Sequence, residues 1–160
     1  MNKNVILTVR ISLLVLICLT LAFIFSQSML PKEESSKQSN AVSEKLEEII
    51  PPDTKPGAVI HKNIRKIAHF IEFWVLGLEI ATYSLLFVKS YKFSLLTLPL
   101  ALVIALLDET VQIFSKRGPS VTDVWIDFSG FLFASVVIYG TAYLIAFVRK
   151  KIKAAGQTVE

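Results

Sequence analysis

His69, Glu72, Glu79, Asp108, Glu109, Asp123 and Asp127 stand inside or at the mouths of otherwise apolar stretches. An unpaired carboxylate near the bilayer centre costs roughly 2.5 to 3.5 kcal/mol on insertion scales, so groups retained there bind, relay or catalyse by default. Three chemistries are open to them. His69 can serve as a general acid or base whose tautomer is set by Glu72 or Asp108, which makes His69, Glu72, Asp108 and Glu109 the catalytic candidates. Asp108, Glu109, Asp123 and Asp127 can hold a divalent cation such as Mg or Mn. Glu72 and the deeper Glu79 can form part of a proton relay. Around them stand the cations Lys62, Arg65, Lys66, Lys116 and Arg117. Guanidinium forks among these match phosphate or carboxylate groups. The chain has no nucleophile motif, no second histidine near His69 and a single cysteine, Cys18. No cofactor is expected beyond the divalent cation the carboxylates could hold, and the sequence offers neither a zinc site of known spacing nor an intrachain disulfide.

Membrane helices must position these groups. A hydrophobic content of 53% with a mean hydropathy of +0.58 excludes an ordinary soluble domain. The expected fold is an all-α membrane protein: a four-transmembrane-helix bundle, in one domain over 1–160, with spans at about 5–25, 67–88, 93–114 and 124–148. A cleaved signal peptide competes for the first span, but its apolar run exceeds the usual core of about 7 to 15 residues. Residues 26–62 contain Pro31, Pro51, Pro52 and Pro56 and are expected to form an exposed outer loop. Within that loop Val42, Leu46, Ile49 and Ile50 recur at near-helical spacing, which predicts a short amphipathic helix ended by Pro51 and Pro52; a solvated linker is the competing reading. Pro99 should kink the third helix. The short connector Lys89-Ser90-Tyr91-Lys92 makes the second and third helices antiparallel neighbours.

Basic residues set the orientation. Lys3, Arg10, Lys89, Lys92 and the tail Arg149, Lys150, Lys151 and Lys153 are expected on the cytoplasmic side of the plasma membrane, with both termini inside. The second helix then enters from the outer face at Arg65 to His69, the third leaves there at Asp108 to Gln112, and the fourth returns at Asp123 to Asp127. Their polar groups converge in the outer leaflet. At about 100° per residue, Arg65, His69, Glu72, Leu76 and Glu79 fall in one stripe of the second helix. Asp108 and Gln112 share a face of the third, and Asp123, Asp127, Gly130 and Ala134 share a face of the fourth. Gly130 and Ala134 form a small-xxx-small spacing that suits close packing within the bundle, or a dimer seam. Trp74 and Trp125 suit interfacial anchoring.

The same residues carry a resemblance. Lys66-Ile67-Ala68-His69-Phe70 followed by Phe73 and Leu76-Gly77, Asp108-Glu109 with Gln112, and then Arg117, Asp123, Asp127 and Gly130 are together similar to the motifs of the VanZ-like membrane proteins, named for an accessory factor in teicoplanin resistance. Phe25-Ser26-Gln27 resembles the end of that family's first span. Three positions depart from the pattern: Phe73 where Tyr is common, Lys116 where Gly often precedes the Arg, and Ala134 where a second Gly is frequent. The resemblance implies a bacterial envelope protein of about four spans, linked in some members to lower susceptibility to lipoglycopeptides, and it implies no established reaction.

The site expected from the residues is an outward vestibule of Arg65, Lys66, His69, Glu72, Asp108, Glu109, Gln112, Arg117, Asp123 and Asp127. Its leading use is to bind an anionic membrane lipid, a cell-wall precursor or a lipoglycopeptide. An intramembrane enzyme acting on lipid phosphate or glycosidic bonds, and a proton-coupled carrier, are the alternatives. A network of compensating ion pairs that only fixes helix register would use the same residues. The basic tail reads as a topology anchor at anionic lipid, so nucleic-acid binding is not expected; a homodimer is compatible with the packing faces.

Overall fold

The computed structural model describes residues 2–88 and 91–156. Helix α1 spans Lys3–Met29, and its first turn is capped by the Asn2 side chain, which accepts from the Asn4 N–H. Helix α4, Ile64–Tyr83, continues into a wider π turn at Ser84–Val88. Helix α5, Tyr91–Phe114, runs through Pro99 without interruption, and α6 covers Val121–Gly156. Four segments, Lys3–Met29, Ile64–Val88, Ser94–Phe114 and Val121–Lys153, are long and apolar enough to cross a membrane. The expected all-α architecture with four such helices is therefore present. At about 1.5 Å per residue α1 is about 40 Å long, enough to span the hydrocarbon with a turn to spare. Leu7, Ile11, Val15, Leu19 and Phe23 are all exposed along it, a pattern suited to lipid rather than water.

The segment expected as an outer loop is largely helical. Besides the last turn of α1, it contains α2, Lys32–Glu47, and α3, Lys55–Lys62. Glu33 and Glu34 occupy the first turn of α2 and Lys45 its last, a charge order that favours the helix without an apolar stripe. Pro31 sits at the N-terminal cap of α2, and Thr54 caps α3 by accepting from the Gly57 N–H at 3.1 Å. Thus two of the prolines and their neighbours start helices rather than sustaining a loop. His61 lies in α3 and ties the segment together: its Nδ1 is 2.6 Å from Ser43 Oγ and its Nε2 is 2.9 Å from the Ile50 carbonyl. Among the residues expected to form an apolar stripe, Val42 and Ile49 are exposed, and Ile49 and Ile50 lie beyond the end of α2.

Helices α4 and α6 share the most extensive interface, with α1 and α5 packed alongside. Two glycines allow it. A Cβ on Gly130 would lie 2.3 Å from the Phe70 carbonyl oxygen, and one on Gly77 would lie 2.8 Å from the Ala134 Cβ. The two helices meet backbone to backbone at these points, the contact expected of small residues in a membrane bundle. Around it Ile24, Phe73, Leu76, Ala105 and Phe131 form the core. Lipid tails are as apolar as these side chains, so the bundle depends on close packing and on polar contacts between helices. Those polar contacts are concentrated at one end.

Candidate functional site

Gln112 on α5 is the hub of that end. Its amide nitrogen donates to Asp108 Oδ2 at 3.0 Å and to Glu109 Oε1 at 2.9 Å, while its oxygen accepts from the Arg65 guanidinium at 2.9 Å. Spacings of three and four residues place Asp108 and Glu109 one turn back on the same helix, which is what lets one amide reach both carboxylates. Ser28, in the last turn of α1, donates its hydroxyl to Asp108 Oδ1. Glu109 Oε2 accepts from the Ser120 N–H at 2.7 Å just ahead of α6. The cluster therefore joins α1, α4, α5 and the start of α6. Asp108, Gln112 and Asp127 are all 0% exposed, so each polar atom left without a partner is costly.

His69 faces two carboxylates across the α4–α5–α6 junction. Its Nδ1 is 3.4 Å from Asp127 Oδ1 and 3.8 Å from Asp108 Oδ2. These are ionic contacts without hydrogen-bond alignment: Nδ1 of His69 and both oxygens of Asp127 have no hydrogen-bond partner. One ligand atom from each of His69, Asp108 and Asp127 lies within 4.8 Å of the others. The cation set expected from the sequence was Asp108, Glu109, Asp123 and Asp127, and the structure gathers a different one. Glu109 is turned to the Gln112 amide and the Ser120 N–H, and Asp123, in the first turn of α6, is not among the gathered atoms.

Arg117 reaches the cluster by a backbone reversal. Lys116 adopts a left-handed conformation with φ of 56°, and the Arg117 N–H closes the end of α5 on the Gln112 carbonyl at 3.0 Å. The guanidinium then donates to the Gln27 carbonyl of α1 at 2.9 Å, while Ser115 donates to the Ser28 carbonyl at 2.8 Å. Two carbonyls in the last turn of α1 thereby gain side-chain donors, that of Gln27 in addition to the Leu30 N–H. Burial, and the like charge of Arg65 nearby, hold the Arg117 guanidinium below its ordinary pKa. Among the described residues no carboxylate lies within ion-pair distance of Arg65 or Arg117, and the Nε of each is buried without an acceptor.

A cavity of about 440 Å³ opens between α1, α2 and α4, lined by Arg65, His69, Glu72 and Arg117 on its polar side and by Phe23, Val42, Ile64 and Ala68 among its apolar residues. Lys66 and Lys116 are exposed and do not line it. Glu79 lies about two turns deeper on α4, where Thr20 of α1 donates to its Oε1 at 2.9 Å. Sequence reasoning overlooked Thr20 and also Ser28, Gln27, Ser115 and Ser120. The charge-free run that continues to Pro31 was a usable signal for Ser28, since it carries α1 one turn past Phe25. Phe73 is fully buried in the core, a position that makes no demand for a phenol hydroxyl.

Residues 13–146 match the family described as VanZ/LLP1. No curated protein and no solved structure matches the chain. The match takes in most of the chain, including all four apolar helices in whole or in part and every residue of the polar cluster, and the chain is thus a multi-pass membrane protein that belongs to the VanZ/LLP1 family.

Proposed function

We propose that the cavity binds the anionic headgroup of an envelope lipid or lipid-linked precursor, with Arg65 and Arg117 as its phosphate or carboxylate ligands. The observation that carries this reading is a pair of arginines, Arg117 buried and Arg65 half-buried, that line one cavity without a carboxylate at ion-pair distance among the described residues. Each spends one arm on a neutral oxygen, Gln112 Oε1 or the Gln27 carbonyl, and has a buried Nε–H without an acceptor. Two like charges held together in a space of low dielectric favour an anion strongly. The apolar lining beside them suits the first carbons of a lipid chain. Glu72 and His69 then supply acceptors and donors for sugar or peptide groups.

In this reading the cavity end faces outward across the plasma membrane and both termini are cytoplasmic, in keeping with Lys3, Arg10 and the tail Arg149 to Lys153 at the other end. Occupancy of a precursor or lipid would alter how lipoglycopeptides reach their target, which connects the cavity to teicoplanin susceptibility. The direct test is retention of lipid by the purified chain in nanodiscs, read by native mass spectrometry with anionic and zwitterionic lipids in competition. Wild type should retain the anionic lipid, and Arg65→Gln with Arg117→Gln should lose that preference. Equal retention of both lipids by wild type would end the proposal. In cells, protection from teicoplanin that vanishes in the same double variant at matched membrane levels would tie binding to physiology.

A further inference from the structure

We infer that His69, Asp108 and Asp127 form a divalent transition-metal site at the α4–α5–α6 junction. Three observations converge on it. The ligand atoms are close: His69 Nδ1 lies 3.4 Å from Asp127 Oδ1 and 3.8 Å from Asp108 Oδ2. A tetrahedral cation with ligands at about 2.0–2.1 Å separates them by roughly 3.3 Å, so the two His69 pairs need to move by about half an ångström or less, and the Asp108–Asp127 pair, within 4.8 Å, by up to about 1.5 Å.

Second, the donors point at one another with nothing between them to satisfy them. Asp127 is 0% exposed and neither of its oxygens accepts an aligned hydrogen bond, and Nδ1 of the buried His69 has no hydrogen-bond partner beyond its 3.4 Å and 3.8 Å approaches to Asp127 and Asp108. The neighbouring Asp108 and Glu109 have a donor for each oxygen, Ser28 and Gln112 for Asp108 and Gln112 and Ser120 for Glu109, while Asp123 Oδ1 shares with Asp127 the lack of one. A divalent ion would engage the His69 Nδ1 and one Asp127 oxygen, both without hydrogen bonds, together with one Asp108 oxygen. It also neutralises two buried carboxylates, with the imidazole neutral as a ligand must be.

Third, the surroundings have the form of an outer coordination shell. The Ser28 hydroxyl and the Gln112 amide hold Asp108 by its two oxygens, each of which retains a lone pair for a metal, and Arg65 in turn fixes Gln112. One nitrogen and two carboxylate oxygens favour Zn²⁺ or Mn²⁺ over Mg²⁺ or Ca²⁺, which prefer all-oxygen sets. Three protein ligands leave the remaining positions for water or a substrate oxygen. His69 also lines the cavity, which provides the route by which such an oxygen arrives.

The test uses the full-length chain in detergent, stripped with a chelator and titrated with Zn²⁺, Mn²⁺ and Co²⁺ alone. Wild type should take up about one ion per chain, and bound Co²⁺ should show the visible bands of a nitrogen–oxygen set of low coordination number. Asp127→Asn should weaken uptake by at least about a hundredfold, whereas Gln112→Ala, which only orients a ligand, should weaken it by about tenfold to a hundredfold. Glu79→Gln should leave it unchanged. Should Asp127→Asn fail to fold, the wild type still decides: its melting temperature must rise with added metal and fall on chelation. Absence of saturable uptake by wild type, or uptake undiminished in a folded Asp127→Asn, overturns the site. The probe is the metal alone, so the outcome is separate from that of the lipid-retention assay.

Discussion

The two halves of α4 carry polar groups at the same helical spacing, yet they are treated differently. At one end Arg65 and His69 face α5, α6 and α1, with Gln112 and Asp108 linking donors from three elements. At the other, Glu79 and Tyr83 meet α1 alone: Thr20 donates to Glu79, and Arg10 donates to the Tyr83 hydroxyl at 3.0 Å. Glu79 thus has one donor from one neighbour, and its Oε2 is buried without a hydrogen bond. A network drawn from four elements goes beyond that, which separates a site from an accommodated residue.

Substitutions can break or sharpen that contrast. Asp108→Ala should have the largest effect, since it strands the Gln112 amide and the Ser28 hydroxyl in a fully buried space; a loss of about 3–5 kcal/mol in reversible unfolding in detergent is expected, with loss of any cavity-dependent activity. Gly130→Ala follows at about 1–3 kcal/mol, because the added methyl must push the Phe70 backbone away and with it the neighbouring His69. Glu79→Gln should cost no more than about 1 kcal/mol, as its amide oxygen can still accept from Thr20, and should leave lipid retention intact. A large functional loss in that variant, at normal stability, would erase the distinction between the two halves and favour a proton-coupled carrier. Lys66→Ala, on the exposed side of α4, should change neither the melting temperature nor lipid retention measurably.

The four apolar helices were legible because length and hydropathy decide membrane crossing almost alone. The gathering of Arg65, His69, Asp108, Gln112 and Asp127 at one end was legible too, since counting spans fixes depth and a period of about 3.6 residues fixes the face. Residues 26–62 were legible only in part: a helix through Val42 and Leu46 was read from spacing, but its start at Lys32 and the whole of α3 rest on capping, charge order and the His61 contacts to Ser43 and Ile50. The approach of Asp127 to His69 was hidden, the residues read as its neighbours being Glu72 or Asp108, of which Asp108 does lie 3.8 Å away. The Asp127 contact depends on how closely α4 and α6 approach, and that is set by Gly77 and Gly130.

One turn gives meaning to a departure from the family pattern. Lys116 stands where glycine often precedes the arginine, and its φ of 56° is a conformation that a side chain enters at a cost of about 1–2 kcal/mol. The position is therefore read through its backbone and not through its charge: the lysine side chain is a passenger pointing to solvent, while the reversal beneath it delivers Arg117 to the cavity. In this member the loop is held in a tensed shape by its neighbours, so anything that loosens the end of α1, where Gln27 and Ser28 anchor Arg117 and Ser115, also releases the arginine. The reach of that cation is governed by the far end of another helix.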